Sequence, residues 1–95
     1  MSVYKNLKVG DTIRILRVPE GDLRQREREI ANKSEYAGWT ANTIEAIIEQ
    51  CPLVQISDIH NGIPWYETEI KNAGGETETH TLAIEDDGTW ELIDA

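Results

Sequence analysis

Ninety-five residues, 39% hydrophobic and 28% charged, are enough for one domain with a modest core and too apolar for a disordered chain. No apolar run approaches bilayer-spanning length, and Met1 is not followed by a charged and then apolar signal segment, so the expected setting is cytoplasmic, with no membrane partner. Cys51 is the only cysteine, which excludes an internal disulfide and leaves a structural zinc site short of ligands.

Eighteen acids against nine bases give a net charge of −9, unevenly spread. Residues 1–33 hold eight bases and five acids, a balance of +3, while residues 34–95 hold one base and thirteen acids, a balance of −12. An acidic surface of that kind repels a nucleic-acid backbone and attracts basic protein surfaces. Surface acids also keep proteins soluble without any further role.

In chain order, residues 1–6 read as a loose arm and 7–11 as a turn into a strand over 12–18. In that strand Ile13 and Ile15 alternate with Thr12, Arg14 and Leu16, and Pro19 ends it for want of an amide. Asp22 as N-cap with Gln25 three places on predicts a helix over 23–31. Its apolar contacts are few (Leu23, Ile30 and Ala31). Arg24, Arg26 and Arg28 form a solvated face paired with Glu27 and Glu29, or alternatively a grip for phosphate or an acidic partner. Residues 33–38 read as a loop. Thr40 then caps a second helix, with Trp39 stapled onto Ile44. Ile44, Ile47, Ile48 and Cys51 make one apolar stripe, and Pro52 ends the helix.

Residues 52–70 read as a β-hairpin. A three-residue loop around His60-Asn61-Gly62, with Gly62 left-handed, pairs Ile59 with Ile63 and Ile56 with Tyr66. Val54, Ile56, Tyr66 and Ile70 then share a face. A two-residue Asn-Gly turn would set glutamates against Val54 and Ile56, because a one-residue slip flips every side chain. Asn72-Ala73-Gly74-Gly75 is a turn. Residues 76–85 and 89–93 form a second hairpin around Asp86-Asp87-Gly88, with Gly88 left-handed, pairing Ile84 with Trp90 and Leu82 with Leu92. An odd-length loop after Lys71 pairs Tyr66 with His80. The expected core is Ile15, Val54, Ile56, Tyr66, Leu82, Ile84, Trp90 and Leu92.

Strand 12–18 would close this four-strand meander. The expected fold is mainly β (α+β): one domain over 1–95, with strand 1 in 7–18, a helical insertion over 20–51 and the meander over 52–93. Five antiparallel strands so arranged, entered by Val9-Gly10-Asp11-Thr12-Ile13-Arg14-Ile15, resemble an SH3-like small barrel. The tyrosine signature of peptide-binding SH3 domains is absent, so proline-rich ligands are not implied. An OB-like barrel or an open sheet with one packed helix is the alternative.

No catalytic set emerges. Cys51 belongs to an apolar stripe, His60 to a turn and His80 to the inner face, and none has a usefully spaced third partner. Glu85-Asp86-Asp87-Gly88 lacks the spaced oxygens of a calcium loop and suits a turn. No enzyme, cofactor or metal is expected. What remains is a surface. The face opposite the core carries Ile59, Ile63, Trp65, Ala83 and Ile93, too apolar for open solvent. Either the helix over 41–50 covers it, or it is a docking patch rimmed by Gln55, Glu67, Glu69 and Glu91. The expected site is therefore Trp65, Ile63, Ile59, Tyr66, Trp39, Glu67 and Glu69. The expected function is a small acidic, non-enzymatic binding module (adaptor, inhibitor or immunity-type protein) covering a basic protein partner. The alternative is a small-ligand or nucleic-acid-binding barrel in which Trp39, Trp65 and Tyr66 stack on bases and the N-terminal arginines neutralise phosphate. The charge balance counts against nucleic acid, and oligomeric state is not encoded in any motif.

Overall fold

The computed structural model describes residues 3–33 and 37–93. They form a mixed α+β fold in which two helices accompany one five-stranded antiparallel sheet whose edges do not close on each other. Strands β1 (Thr12–Ile15), β2 (Leu53–His60), β3 (Ile63–Lys71), β4 (Thr77–Ala83) and β5 (Trp90–Ile93) stand in the order β4-β3-β2-β1-β5. Helices α1 (Glu20–Ala31) and α2 (Trp39–Gln50) lie between β1 and β2 in the chain.

Residues 3–6 are not a loose arm. Tyr4–Asn6 form a 3-10 turn, and the Tyr4 hydroxyl donates to the Ile84 carbonyl at 3.0 Å. β1 is shorter than its alternating pattern suggests. Beyond Ile15 the Leu16 N–H makes one further bond in the β1–β5 register, to the Thr89 carbonyl at 2.8 Å, and the strand ends there.

α1 starts at Glu20 rather than after Asp22. Pro19 occupies the N-cap and its carbonyl accepts the Asp22 N–H, so Asp22 lies in the first turn with Glu20, where acids complement the helix dipole. No residue of α1 is fully buried, as its sparse apolar pattern requires. α2 is capped by Gly38, not Thr40, and Gly38 has a left-handed φ of 75°. Its carbonyl accepts the Asn42 N–H at 2.8 Å and its own N–H donates to Glu29 Oε1 at 3.0 Å. Trp39 therefore begins the helix instead of stapling it from outside. Arg26 Nη1 reaches from α1 to Asn42 Oδ1 at 3.0 Å and Glu45 Oε1 at 2.5 Å, tying the helices together. The expected loop over 33–38 lies partly outside the described residues.

The β2–β3 hairpin resolves the conflict between its turn and its apolar pattern by a third route. Asn61 and Gly62 both take left-handed φ, 52° and 77°, the geometry of a two-residue turn. His60 pairs with Ile63, Ile59 with Pro64 and Asp58 with Trp65. A β-bulge between Ile56 and Asp58 then absorbs one residue, so Ile56 still pairs with Tyr66. The core register is the expected one, but the three-residue loop and the Ile59–Ile63 pair are not formed. In β3–β4 the pairs are Tyr66 with Leu82 and Thr68 with His80, two residues from the expected register and so with the faces unchanged.

The second hairpin does not form. β5 crosses to the far edge and pairs with β1, Thr12 with Ile93 and Ile15 with Trp90. The Asp87 side chain accepts from both the Thr89 N–H and the Thr89 hydroxyl, and the Trp90 indole N–H donates to the Glu85 carbonyl at 2.7 Å. These bonds hold residues 85–89 as an open crossing instead of a tight turn. Gly88 is accordingly not left-handed; the glycines at positive φ are Gly10, Gly38, Gly62 and Gly75.

The core joins Ile13 and Ile15 of β1, Val54 and Ile56 of β2, Tyr66 and Ile70 of β3, Ile84, and Ala41, Ile44 and Ile47 of α2. Leu82 and Trp90 are half-buried against it. Leu92 was expected inside and is 39% exposed, because β5 is an edge strand beyond the reach of α2. Among the described residues no helix is long and apolar enough to cross a membrane.

Candidate functional site: the uncovered face of the sheet

Alternation along β3 sorts its residues into two faces. Pro64, Tyr66 and Ile70 are buried and Thr68 half-buried on the side of α2. Ile63, Trp65, Glu67 and Glu69 project from the opposite side, where Ile63 is 42% exposed, Trp65 half-buried and both glutamates exposed. Because α2 lies against the Tyr66 face, the alternative in which that helix covers Trp65 is overturned.

Neighbouring strands complete the face. β4 sets Ala83 beside Trp65, Thr81 beside Glu67 and Thr79 beside Glu69. β2 sets Asp58 beside Trp65 and His60 beside Ile63. The bulge brings Asp58 and His60 here, and sequence reasoning missed both; Asn-Gly read as a two-residue turn was the signal that would have placed them. The Ser57 hydroxyl donates to the Trp65 carbonyl at 3.3 Å, holding the bulge against the ladder. The result is a small apolar centre, Trp65 with Ile63 and Ala83, bordered by Asp58, Glu67 and Glu69.

Of the expected site residues, Trp65, Ile63, Glu67 and Glu69 come together, and three do not join them. Ile59 is carried by the bulge to the α2 side, next to Pro64, and is 37% exposed at the rim. Tyr66 is buried on the core face; its phenol is pushed well above its ordinary range, first by burial and then by the charges of Cys51 and Asp22. Trp39 stands on the first turn of α2, 56% exposed, with its ring 6.3 Å from that of His80. Of the expected rim, Glu91 pairs instead with Arg14, 3.9 Å away, and Gln55 lies opposite Thr12.

The other candidates have structural partners. His80 Nε2 is 3.2 Å from Glu78 Oε1, and Asn72 Nδ2 donates to Glu78 Oε2 at 3.0 Å. These two hydrogen bonds, Asn72 first, lower the pKa of Glu78. Cys51 Sγ is half-buried, 3.3 Å from Thr68 Oγ1. Arg24 pairs with Glu20 at 2.5 Å and Arg26 with Glu45, so neither uses Glu27 or Glu29 as expected. Among the described residues no three of His, Cys, Asp and Glu gather closely enough to hold a metal ion. Comparison with protein-family models, with curated proteins and with solved structures gave no match to this chain.

Proposed function

We propose that this chain is a small, non-enzymatic protein-binding module of SH3-like type that uses the Trp65 face to cover a basic surface on a protein partner in the cytoplasm. The strand order β4-β3-β2-β1-β5, with β1 shared between β2 and β5, supports the SH3-like likeness. So does the bulge in β2, since bulges bend and twist a strand as a curling sheet requires.

The observation that carries the functional reading is the arrangement on β3: Trp65 and Ile63 on a face that neither helix covers, next to Glu67 and Glu69 and across from Asp58. An aromatic side chain supplies most of its affinity when desolvated at the centre of a contact, and carboxylates at the rim mainly set the association rate. The −12 balance of residues 34–95 extends that attraction over the surface. Against a nucleic-acid role, Arg14, Arg24 and Arg26 are already engaged by Glu91, Glu20 and Glu45.

The test is capture from native lysate with wild type, Trp65→Ala and the Glu67→Lys/Glu69→Lys double variant, followed by kinetics on the identified partner. A basic partner lost with Trp65→Ala, and associating more slowly as salt rises or in the double variant, is the expected result. A partner indifferent to Trp65, or tight binding of duplex or single-stranded nucleic acid at physiological salt, overturns the reading.

A further inference from the structure

The sheet is open, and β4 is one of its edges. Two ladder bonds show which of its backbone groups are used. The Ile84 N–H donates to the Pro64 carbonyl at 2.9 Å and the Asn72 N–H to the Glu76 carbonyl at 2.9 Å. In an antiparallel pair the bonded residues alternate, so Glu78, His80 and Leu82 also turn their N–H and C=O groups toward β3. Thr77, Thr79, Thr81 and Ala83 turn theirs outward. Among the described residues no hydrogen bond reaches those outward groups. An unpaired run of this kind, three of its four residues β-branched threonines suited to a strand, is a template for another extended chain.

The side chains beside that edge select what it takes. The same four residues point to the Trp65 face, and all four are small. A strand added to β4 would lie about 10 Å from β3, two strand spacings away. Over threonine and alanine, long side chains of the added strand can lean across to the row on β3. By register, Thr79 leads to Glu69, Thr81 to Glu67 and Ala83 to Trp65. Positions facing Thr79 and Thr81 therefore suit lysine or arginine, and the position facing Ala83 suits an apolar side chain. A second copy of this chain fits poorly, since each copy carries −9 and would bring its own Glu78, with Glu76 just before the strand, to the contact.

We propose that the free edge of β4 accepts an extended basic segment of the partner as a sixth strand, with basic residues at alternate positions and an apolar residue two further along, against Trp65. This names the partner's form and rests on the reading of the Trp65 face as the basic-partner surface. Main-chain bonds supply affinity and the β3 row supplies selection, as in other strand-addition complexes.

The test uses two capped pentapeptides, leucine-threonine-lysine-threonine-lysine for antiparallel addition and the reverse order for parallel addition, titrated into the full chain by NMR. For one order, the Thr79, Thr81 and Ala83 amides are expected to shift and their hydrogen exchange to slow about tenfold at saturation. N-methylation of the two lysine amides, which would face β4 in the antiparallel order, should weaken that peptide about tenfold, the scale of one or two lost hydrogen bonds. Methylation of the threonine amides, which face away, should not. Shifts at Trp65 and Glu67 without protection of the edge amides refute strand addition and leave the face reading intact. Silence from both peptides at both places refutes the two together. A dimer in sedimentation equilibrium that protects the β4 amides without peptide overturns the choice of occupant.

Discussion

The bulge in β2 makes a sharp prediction about deletions. In a regular strand, removing one residue reverses the face of everything beyond it. At Ser57 the opposite is expected, because the bulge already holds one residue more than the ladder needs. Without Ser57 the pairs Ile56 with Tyr66, Asp58 with Trp65, Ile59 with Pro64 and His60 with Ile63 become consecutive, and no side chain changes face. The identifiable loss is the Ser57 hydroxyl bond to the Trp65 carbonyl, a contribution of about 0.5–1.5 kcal/mol. Deleting Glu67 from the partner strand is the control. It would turn the buried Ile70 outward, at about 1.5–3 kcal/mol, and bring Glu69 and Lys71 onto the core side. A 95-residue domain has roughly 5–14 kcal/mol of stability in all, so this second deletion should leave little folded protein. Urea unfolding followed by tryptophan fluorescence measures both, with amide spectra to confirm the hairpin. The reasoning fails if deletion of Ser57 is as damaging as deletion of Glu67.

Gly38→Ala should destabilise more than Gly10→Ala in the same assay. Both residues have positive φ, but a Cβ on Gly38 meets the Arg26 side chain whereas one on Gly10 meets open space; about 1 kcal/mol is expected at Gly10 and up to about 3 at Gly38. Ile47→Ala, at a fully buried position on α2, should cost about 2–5 kcal/mol, and Leu92→Ala, at a half-open edge, clearly less; equal urea midpoints would remove Ile47 from the core. Glu78 has a lowered folded pKa, held down by Asn72 and His80, so its contribution is present above its unfolded pKa and is lost as pH falls through the lower folded value. Comparing urea midpoints between pH 7 and pH 3, Glu78→Gln should lose less stability on acidification than wild type; an identical loss refutes the assignment.

What was legible in the sequence follows how local the cause was. The stripe Ile44, Ile47, Ile48 and the stop at Cys51-Pro52 placed α2, because a helix face is written within four residues. The Val54, Ile56, Tyr66 and Ile70 face was legible for the same reason in a strand. The start of α2 was not, since it depends on Gly38 lying against Arg26, a residue of the other helix. Asn61-Gly62 and the apolar pattern each gave a true signal, and only the bulge, which neither encodes, reconciles them. Asp86-Asp87-Gly88 misled because Asp87 bonds Thr89 directly and no left-handed glycine is needed. The partner of β5 is β1, and nothing near Trp90 says so. Within the candidate site, Ile63, Trp65, Glu67 and Glu69 could be read from alternation alone, while Asp58 and His60 depended on the bulge.

The ladder between β1 and β5 also orders events in time. Strands β2, β3 and β4 are joined by short turns, so they meet at small entropic cost as soon as they are synthesised. β1 leaves the ribosome first and finds its second neighbour last, because Thr12 waits for Ile93. Until then the β1 backbone has ladder partners only on the β2 side, and Tyr4 waits likewise for the Ile84 carbonyl. Before β5 is made, the growing sheet ends at β1 with one of its edges unpaired, an interval in which such margins are open to chaperones and to misassociation.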